Sequence, residues 1–134
     1  MSTVLYRPAA PSPALSHEIF QRSALLIAQR GWCQGQGLLY VGSPHDPQAA
    51  SLVGALSWAA TGNAQSCTEA VRSALATVRT RLDPDGNAPF NDWELLCAWN
   101  DTPARTREQA ITLLLSCRQP AAHPMTNRPV PLPG

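Results

Sequence analysis

The sequence predicts a mainly α-helical fold, a compact bundle of about five helices, with one short β-hairpin near residues 32–43. Three observations support this prediction. Of the 134 residues, 44% are hydrophobic, which is ordinary for a single folded domain with one core. Apolar residues recur at helical spacing in several segments. Proline and glycine stand between these segments, where helices commonly end.

Both ends of the chain are rich in proline. Eight of the 13 prolines lie there, namely Pro8, Pro11, Pro13, Pro120, Pro124, Pro129, Pro131 and Pro133. Because proline lacks a backbone N–H and favours extended conformations, such segments do not readily join a core. The sequence therefore predicts a flexible arm at residues 1–15, a single helical domain at 16–118 and a flexible tail at 119–134.

The first helix is predicted from about His17 to Arg30. Ser16 has a side chain suited to cap its N-terminus, and Gly31 is typical of the residue that follows a helix. Its predicted buried stripe consists of Ile19, Phe20, Ala24 and Ile27. The glycine-rich stretch that follows contains the apolar run Leu38 to Val41, which indicates a strand or one arm of a hairpin.

The second helix is predicted from a capping pattern. Asp46 followed by Pro47 is typical of a helix cap and a first-turn proline. This helix is expected to continue to about Thr61, where Gly62 ends it.

The third helix has the most regular apolar spacing in the chain. Its apolar positions are Val71, Ala74, Leu75, Val78 and Leu82. Ser66 and Glu69 have the spacing of a capping box, so the third helix is expected to open there and to end near Leu82.

Two further capping boxes predict the last helices. Asn91 with Glu94 opens a short fourth helix near Asp92 to Trp99. Thr106 with Gln109 opens a fifth helix near Arg107 to Cys117.

The composition restricts the classes of partner. Charged residues make up 14% of the chain and the formal net charge is +1, so no overall field attracts nucleic acid or a membrane surface. No run approaches the roughly 20 apolar residues of a membrane helix, and the N-terminus lacks the apolar core of a signal peptide. The four cysteines, Cys33, Cys67, Cys97 and Cys117, form no CxxC pair. We therefore expect a cytoplasmic protein with reduced cysteines and without a cofactor.

The segment DPDGNAPFNDWE places oxygen-bearing side chains where an EF-hand has its calcium ligands. Asp83, Asp85, Asn87 and Glu94 stand at the first, third, fifth and twelfth places. The sixth place needs a positive φ, but here Ala88 precedes Pro89, which favours extended backbone instead. A β-turn at residues 83–86 followed by a capped helix explains the same residues. No metal site is therefore predicted, and a calcium-binding module is an alternative.

Cys33 and His45 are the candidates for catalysis, as a thiol nucleophile and its base. No third residue is recognisable that would orient the histidine, and no glycine motif for binding phosphate is present. Catalysis is therefore not predicted, and a thiol-dependent enzyme that uses Cys33 and His45 is the other alternative.

Three stretches resemble a small uncharacterised family of bacterial and phage proteins. They are GWCQG at residues 31–35, VGALSWAATG at 53–62 and AWNDTPARTREQ at 98–109. The family carries GWxQG early and WNDxPxRTxxE late, and the resemblance covers about residues 17 to 117. It implies a compact helical domain with no established activity. The family motifs map to Trp32, Gln34, Trp99, Asn100, Asp101, Arg105 and Thr106, which are the predicted binding residues.

These observations favour a protein-binding or regulatory module over an enzyme. The sequence contains no convergent acid–base set, while its two proline-rich arms are of the kind that docks in aromatic grooves. The expected partner is another protein, with an association to phage or mobile elements, and nucleic-acid binding is not favoured.

Overall fold

The structure is a computed structural model that describes residues 13–118. In this range it contains five α-helices and one two-stranded antiparallel sheet, which confirms the predicted mainly helical fold. The helices are α1 (Pro13–Gln29), α2 (Leu52–Thr61), α3 (Glu69–Leu82), α4 (Asp92–Asn100) and α5 (Arg107–Ser116), and the strands are β1 (Tyr40–Gly42) and β2 (Pro47–Ala50). The predicted tail at 119–134 and residues 1–12 of the predicted arm lie outside the described residues.

α2 is the central helix, since it packs against α1, α3 and α4. It carries no charged residue and is buried without interruption from Leu52 to Ser57, as expected of a helix that is apolar on all sides. The other helices each place one stripe against it or against α1. Fully buried side chains from the five helices include Ile27, Leu56, Val78, Leu96 and Leu114. Within residues 13–118, no helix combines the length and the apolar character required to cross a bilayer.

α1 begins one turn earlier than predicted. It starts at Pro13, so Ser16 lies inside the helix and is not its N-cap position. Proline is well suited to a first helical turn, because its missing N–H would have no partner within the helix there. The predicted stripe of Ile19, Phe20, Ala24 and Ile27 is buried, which confirms the face that α1 turns to the core.

The predicted hairpin is confirmed but lies further along the chain than residues 32–43, and the start of α2 differs from the prediction. The strands occupy residues 40–50, and Asp46 with Pro47 leads into β2 instead of opening a helix. The helix begins after Ser51, whose side chain accepts a hydrogen bond from the Gly54 N–H. Residues 47–50 stay extended because Ala50 exchanges main-chain hydrogen bonds with the segment that follows α1. The Ala50 N–H donates to the Gly31 carbonyl and the Cys33 N–H donates to the Ala50 carbonyl, both at 3.2 Å.

α3 is capped by Thr68, not by Ser66 as predicted. The Thr68 side chain accepts from the Val71 N–H, whereas the Ser66 N–H donates to the Asn63 carbonyl in the preceding turn. Both residues are good caps by type, but Thr68 is the one in extended conformation directly before the helix. The predicted apolar face is confirmed, since Val71, Ala74, Leu75 and Val78 are buried.

The predicted capping boxes of α4 and α5 are both confirmed. In the first, the Asn91 side chain accepts from the Glu94 N–H at 2.8 Å and the Glu94 carboxylate accepts from the Asn91 N–H at 3.0 Å. In the second, Thr106 and Gln109 make the same exchange at 3.1 and 3.0 Å. The boxes set where α4 and α5 begin, and hence the position of the turn between them.

Candidate functional site

The two sequence motifs meet in space, although they lie far apart in the chain. The Trp32 indole N–H donates to the Asn100 side-chain oxygen at 2.8 Å. The Gln34 amide nitrogen donates to the backbone carbonyls of Asn100 at 2.9 Å and of Thr102 at 3.2 Å. The segment after α1 is thereby joined to the C-terminal end of α4. We call Trp32, Gln34, Asn100 and Asp101 the motif network.

Asn100 is the centre of the motif network. Its side chain is buried, with 1% of the residue exposed. The side-chain oxygen accepts from Trp32 and from the Leu52 N–H at 3.1 Å, and the amide nitrogen donates to the Cys33 carbonyl and to the Asp101 carboxylate, also at 3.1 Å. An asparagine amide offers two acceptor sites and two donors, so all four are used. Asn100 therefore connects α4, the start of α2 and the segment after α1.

Asp101 holds the neighbouring glycine-rich loop. Its two carboxylate oxygens accept from the N–H groups of Gly35 at 2.8 Å and Gly37 at 2.9 Å. Between them the backbone takes three successive positive φ angles, 115° at Gly35, 52° at Gln36 and 75° at Gly37. Glycine adopts such angles readily, whereas Gln36 is the only residue other than glycine with a positive φ among residues 13–118. We call residues 35–38 the Asp101-held loop.

The electrostatic state of Asp101 suits this role. Partial burial raises its pKa, but the hydrogen bonds from Gly35, Gly37 and Asn100 outweigh it and leave the pKa below the usual 3.8. The carboxylate is therefore ionised at neutral pH, where it accepts charge-assisted hydrogen bonds from the loop.

We expect the stability that Asp101 contributes to be lost in acid. Because its pKa is lower in the folded state, the contribution is fully present above the unfolded value of 3.8 and disappears as the pH falls through the folded value. Asp101→Asn should cost about 1 kcal/mol at pH 7, a modest figure because the carboxylate is partly exposed to solvent. Thermal unfolding from pH 7 to 2.5 measures this. A difference between variant and wild type that stays constant over this range contradicts the prediction, and Asp85→Asn in the exposed turn is the matched control.

Trp99, Arg105 and Thr106 build the turn between α4 and α5. The Arg105 guanidinium lies 3.8 Å from the centroid of the Trp99 ring, a cation–π contact, and its Nε donates to the Trp99 carbonyl at 3.0 Å. Thr106 caps α5. The motif residues thus bond largely to one another and hold the turn and the Asp101-held loop in place.

The calcium alternative concerns residues with other partners in the structure. One Asp83 oxygen accepts from the Asn87 N–H, and the other accepts from the Ala88 N–H and the Arg79 guanidinium, at 3.0–3.1 Å. The hydrogen bond from Ala88 is the main reason that the pKa of Asp83 lies below its ordinary value. Glu94 completes the capping box of α4. Over residues 13–118, no three His, Cys, Asp or Glu side chains are grouped as metal ligands would be.

The segment from Asp83 is organised by protein donors instead. The predicted β-turn is confirmed by the hydrogen bond from the Gly86 N–H to the Asp83 carbonyl at 3.0 Å. Arg79 also pairs with Asp92 at 3.2 Å and donates to the Phe90 carbonyl at 2.7 Å. Asp83, Asp85 and Asn87 therefore belong to the turn that connects α3 to α4, and Glu94 lies in the first turn of α4.

The thiol alternative finds no support in the surroundings of Cys33. Burial, with a smaller contribution from the Asp101 charge, raises the pKa of this thiol to about 11. A reactive cysteine requires the opposite shift. The His45 Nδ1 lies 3.1 Å from the Gly62 carbonyl oxygen, and the His45 carbonyl accepts from the Trp58 indole at 3.1 Å. Burial thus disfavours the thiolate of Cys33, and the ring and carbonyl of His45 hydrogen-bond with Gly62 and Trp58.

Two apolar residues at this site were not identified from the sequence as surface residues. Leu38, at the end of the Asp101-held loop, is 44% exposed, and Val41 in β1 is 43% exposed. Their run of apolar neighbours indicates a strand, but a run alone does not tell which side chains face solvent. The two glycines that bond to Asp101 are easier to recognise in the sequence. In the stretch GQG, glycine adopts positive φ angles readily, which indicates a tight loop.

Comparison with models of protein families gives a match over most of the chain. A model described as a family of unknown function, DUF6197, matches residues 11–119, a range that includes both motifs and the whole motif network. No curated protein and no solved structure matches the chain.

Proposed function

The chain belongs to the family of unknown function DUF6197, and from this premise we propose that it acts by binding another protein. The binding surface consists of the Asp101-held loop and the outer edge of β1. The partner contributes an extended segment with apolar side chains. The observation that carries the proposal is the exposure of Leu38 and Val41, at 44% and 43%, beside a loop whose shape is held by a carboxylate.

The rigidity of the loop supports recognition. Scattered exposed apolar residues are normal on a protein surface and indicate little by themselves. Here, however, Leu38 directly follows Gly37, whose N–H is bonded to Asp101. A surface that is already ordered loses less conformational entropy when a partner binds. Leu38 is therefore suited to act as an apolar anchor.

The edge of β1 supports the extended shape of the partner. Both main-chain groups of Ala50 bond to Gly31 and Cys33, so the facing pair Tyr40 and Ala50 is of the non-hydrogen-bonded type. In such a pair the N–H and C=O of Tyr40 point away from β2. Within residues 13–118, β1 is the terminal strand of a two-stranded sheet. Terminal strands accept an additional strand from a partner through these main-chain groups.

In this proposal the predicted binding residues support the surface and do not contact the partner. Trp32, Gln34, Asn100 and Asp101 bond mainly to one another and to nearby backbone groups. A regulatory role and an association with phage or mobile elements stay predictions. Genes of phage type beside the coding sequence would support the association, and housekeeping neighbours throughout would contradict it.

We expect Leu38→Asp with Val41→Asp to abolish partner capture from an extract of the host cell. Each side chain is under half exposed, so a partner can bury only that part, and its loss costs about 1 kcal/mol per residue and about 2 kcal/mol for the pair, which is more than tenfold in affinity. Leu25→Asp and Phe90→Asp are matched controls, since these side chains are 45% and 44% exposed elsewhere on the surface. The controls should bind as the wild type does. Equal loss in both sets, or in neither, contradicts this surface.

A further inference from the structure

A second surface feature is a groove whose lining includes no residue of the Asp101-held loop. The groove has a volume of about 450 Å³ and runs between the end of α4 and one face of α5. Trp99 and Arg105 line one side, and α5 contributes positions from Glu108 to Ser116. At about 1.5 Å per residue these positions span about 12 Å. The groove therefore follows most of the length of α5.

The groove has the chemistry that suits a proline-rich peptide. Trp99 and Arg105 both line the groove, and the Arg105 guanidinium covers one face of the indole at 3.8 Å, so the groove offers the remaining part of the ring beside a fixed positive charge. Leu113 adds an apolar side chain, and Thr112 and Gln109 add polar ones. Proline-rich segments are preformed extended helices whose carbonyls lack internal hydrogen bonds. They pack proline rings on aromatic side chains and accept hydrogen bonds from polar groups beside them.

The chain itself supplies such a segment next to the groove. Ser116 lines the groove and ends α5, and residues 119–134 follow directly after Arg118. Their sequence, QPAAHPMTNRPVPLPG, has five prolines with Val130 and Leu132 between the last three. An extended proline-rich chain advances about 3.1 Å per residue, so roughly four residues cover the groove and the others allow the chain to reverse. A tether this short gives an effective concentration in the millimolar range.

We propose that residues 119–134 bind back along α5 and cover Trp99 in this groove. The contact is intramolecular, with proline rings against the part of the indole that lines the groove and main-chain carbonyls facing Gln109 and Thr112. A proline-rich segment of another protein then reaches the groove only by displacing the chain's own segment. The contact blocks this groove to proline-rich segments of other proteins, and none of the residues that line the groove belongs to the Asp101-held loop.

NMR of the isotopically labelled full chain tests the contact. We expect cross-relaxation between the Trp99 indole and proline ring protons of residues 119–134. In Pro129→Gly with Pro131→Gly, these cross-peaks should be lost and the Trp99 indole N–H resonance should shift. Pro8→Gly with Pro11→Gly is the matched control and should leave Trp99 unchanged. The Trp93 indole, which lies outside this groove, should be unchanged in both.

Two results overturn the inference. The first is a Trp99 resonance that is the same in the wild type and in the Pro129 and Pro131 variant, without cross-peaks to the segment. The second is cross-peaks that arise between a labelled and an unlabelled chain in a mixed sample, because the occupant is then the segment of a second copy. Both measurements use the folded full chain and do not depend on capture of a partner.

Discussion

Asn100→Ala is expected to lower the free energy of unfolding by about 3–5 kcal/mol, the largest effect of any polar substitution in the motif network. The substitution removes the acceptor of the Trp32 indole and of the Leu52 N–H. It also removes the donor to the Cys33 carbonyl. Each polar group that is left buried without a partner costs about 1–3 kcal/mol.

Urea unfolding at pH 7 measures this loss. Asn100→Asp separates the contributions, because it keeps the acceptor for Trp32 and Leu52 but loses the donor to Cys33 and places a second carboxylate beside Asp101. Asn87→Ala, in the exposed turn after α3, is the control and should change stability by less than about 0.5 kcal/mol. If Asn100→Ala unfolds within 1 kcal/mol of the wild type, roughly the value of a single hydrogen bond, the network is not a stabilising centre.

Gly54→Ala is expected to destabilise the chain by about 2 kcal/mol or more, although alanine is the better helix former. A Cβ at Gly54 would lie 2.7 Å from the carbonyl carbon of Leu39 and closer still to its oxygen. Both atoms belong to the backbone, so α2 or the segment before β1 has to move. The clash outweighs the gain of about 1 kcal/mol in helix propensity.

The direction of the change in stability distinguishes the clash from helix propensity. Helix propensity alone predicts that Gly54→Ala stabilises the chain, so an increase in melting temperature contradicts the close approach of Leu39. Ala60→Gly in the same helix is the matched control, and it should cost about 1 kcal/mol through propensity. The Leu39 carbonyl also accepts from the Ser51 N–H at 2.9 Å, so a displaced Leu39 loses this hydrogen bond and moves its neighbour Leu38. We therefore expect Gly54→Ala also to weaken binding at the surface around Leu38.

The helices that the sequence predicts best are those whose signals are local. The capping boxes of α4 and α5 each join residues three positions apart, and the apolar stripe of α3 repeats within one helix. A hydrogen bond or a stripe of this range depends on few other parts of the chain. The helical bundle was therefore predictable from these patterns.

The start of α2 was not predictable in this way. Asp46 with Pro47 has the composition of a helix start, but Ala50 bonds to Gly31 and Cys33, which lie far back in the chain. The pairing with β1 adds a second constraint on the same residues. Two distant partners outweigh one local preference, and the segment is a strand.

In the candidate site, too, the sequence indicates local features, whereas contacts between distant residues appear only in the tertiary structure. The resemblance to a family singled out seven residues, and the amino-acid types around Asp83 correctly indicated a turn. Only the tertiary structure decided that Asn100 bonds to Trp32 and that Asp101 holds Gly35 and Gly37. The physical reason is range: capping and periodicity act between neighbours in sequence, whereas a buried amide or carboxylate takes the partners that packing of the whole chain brings to it.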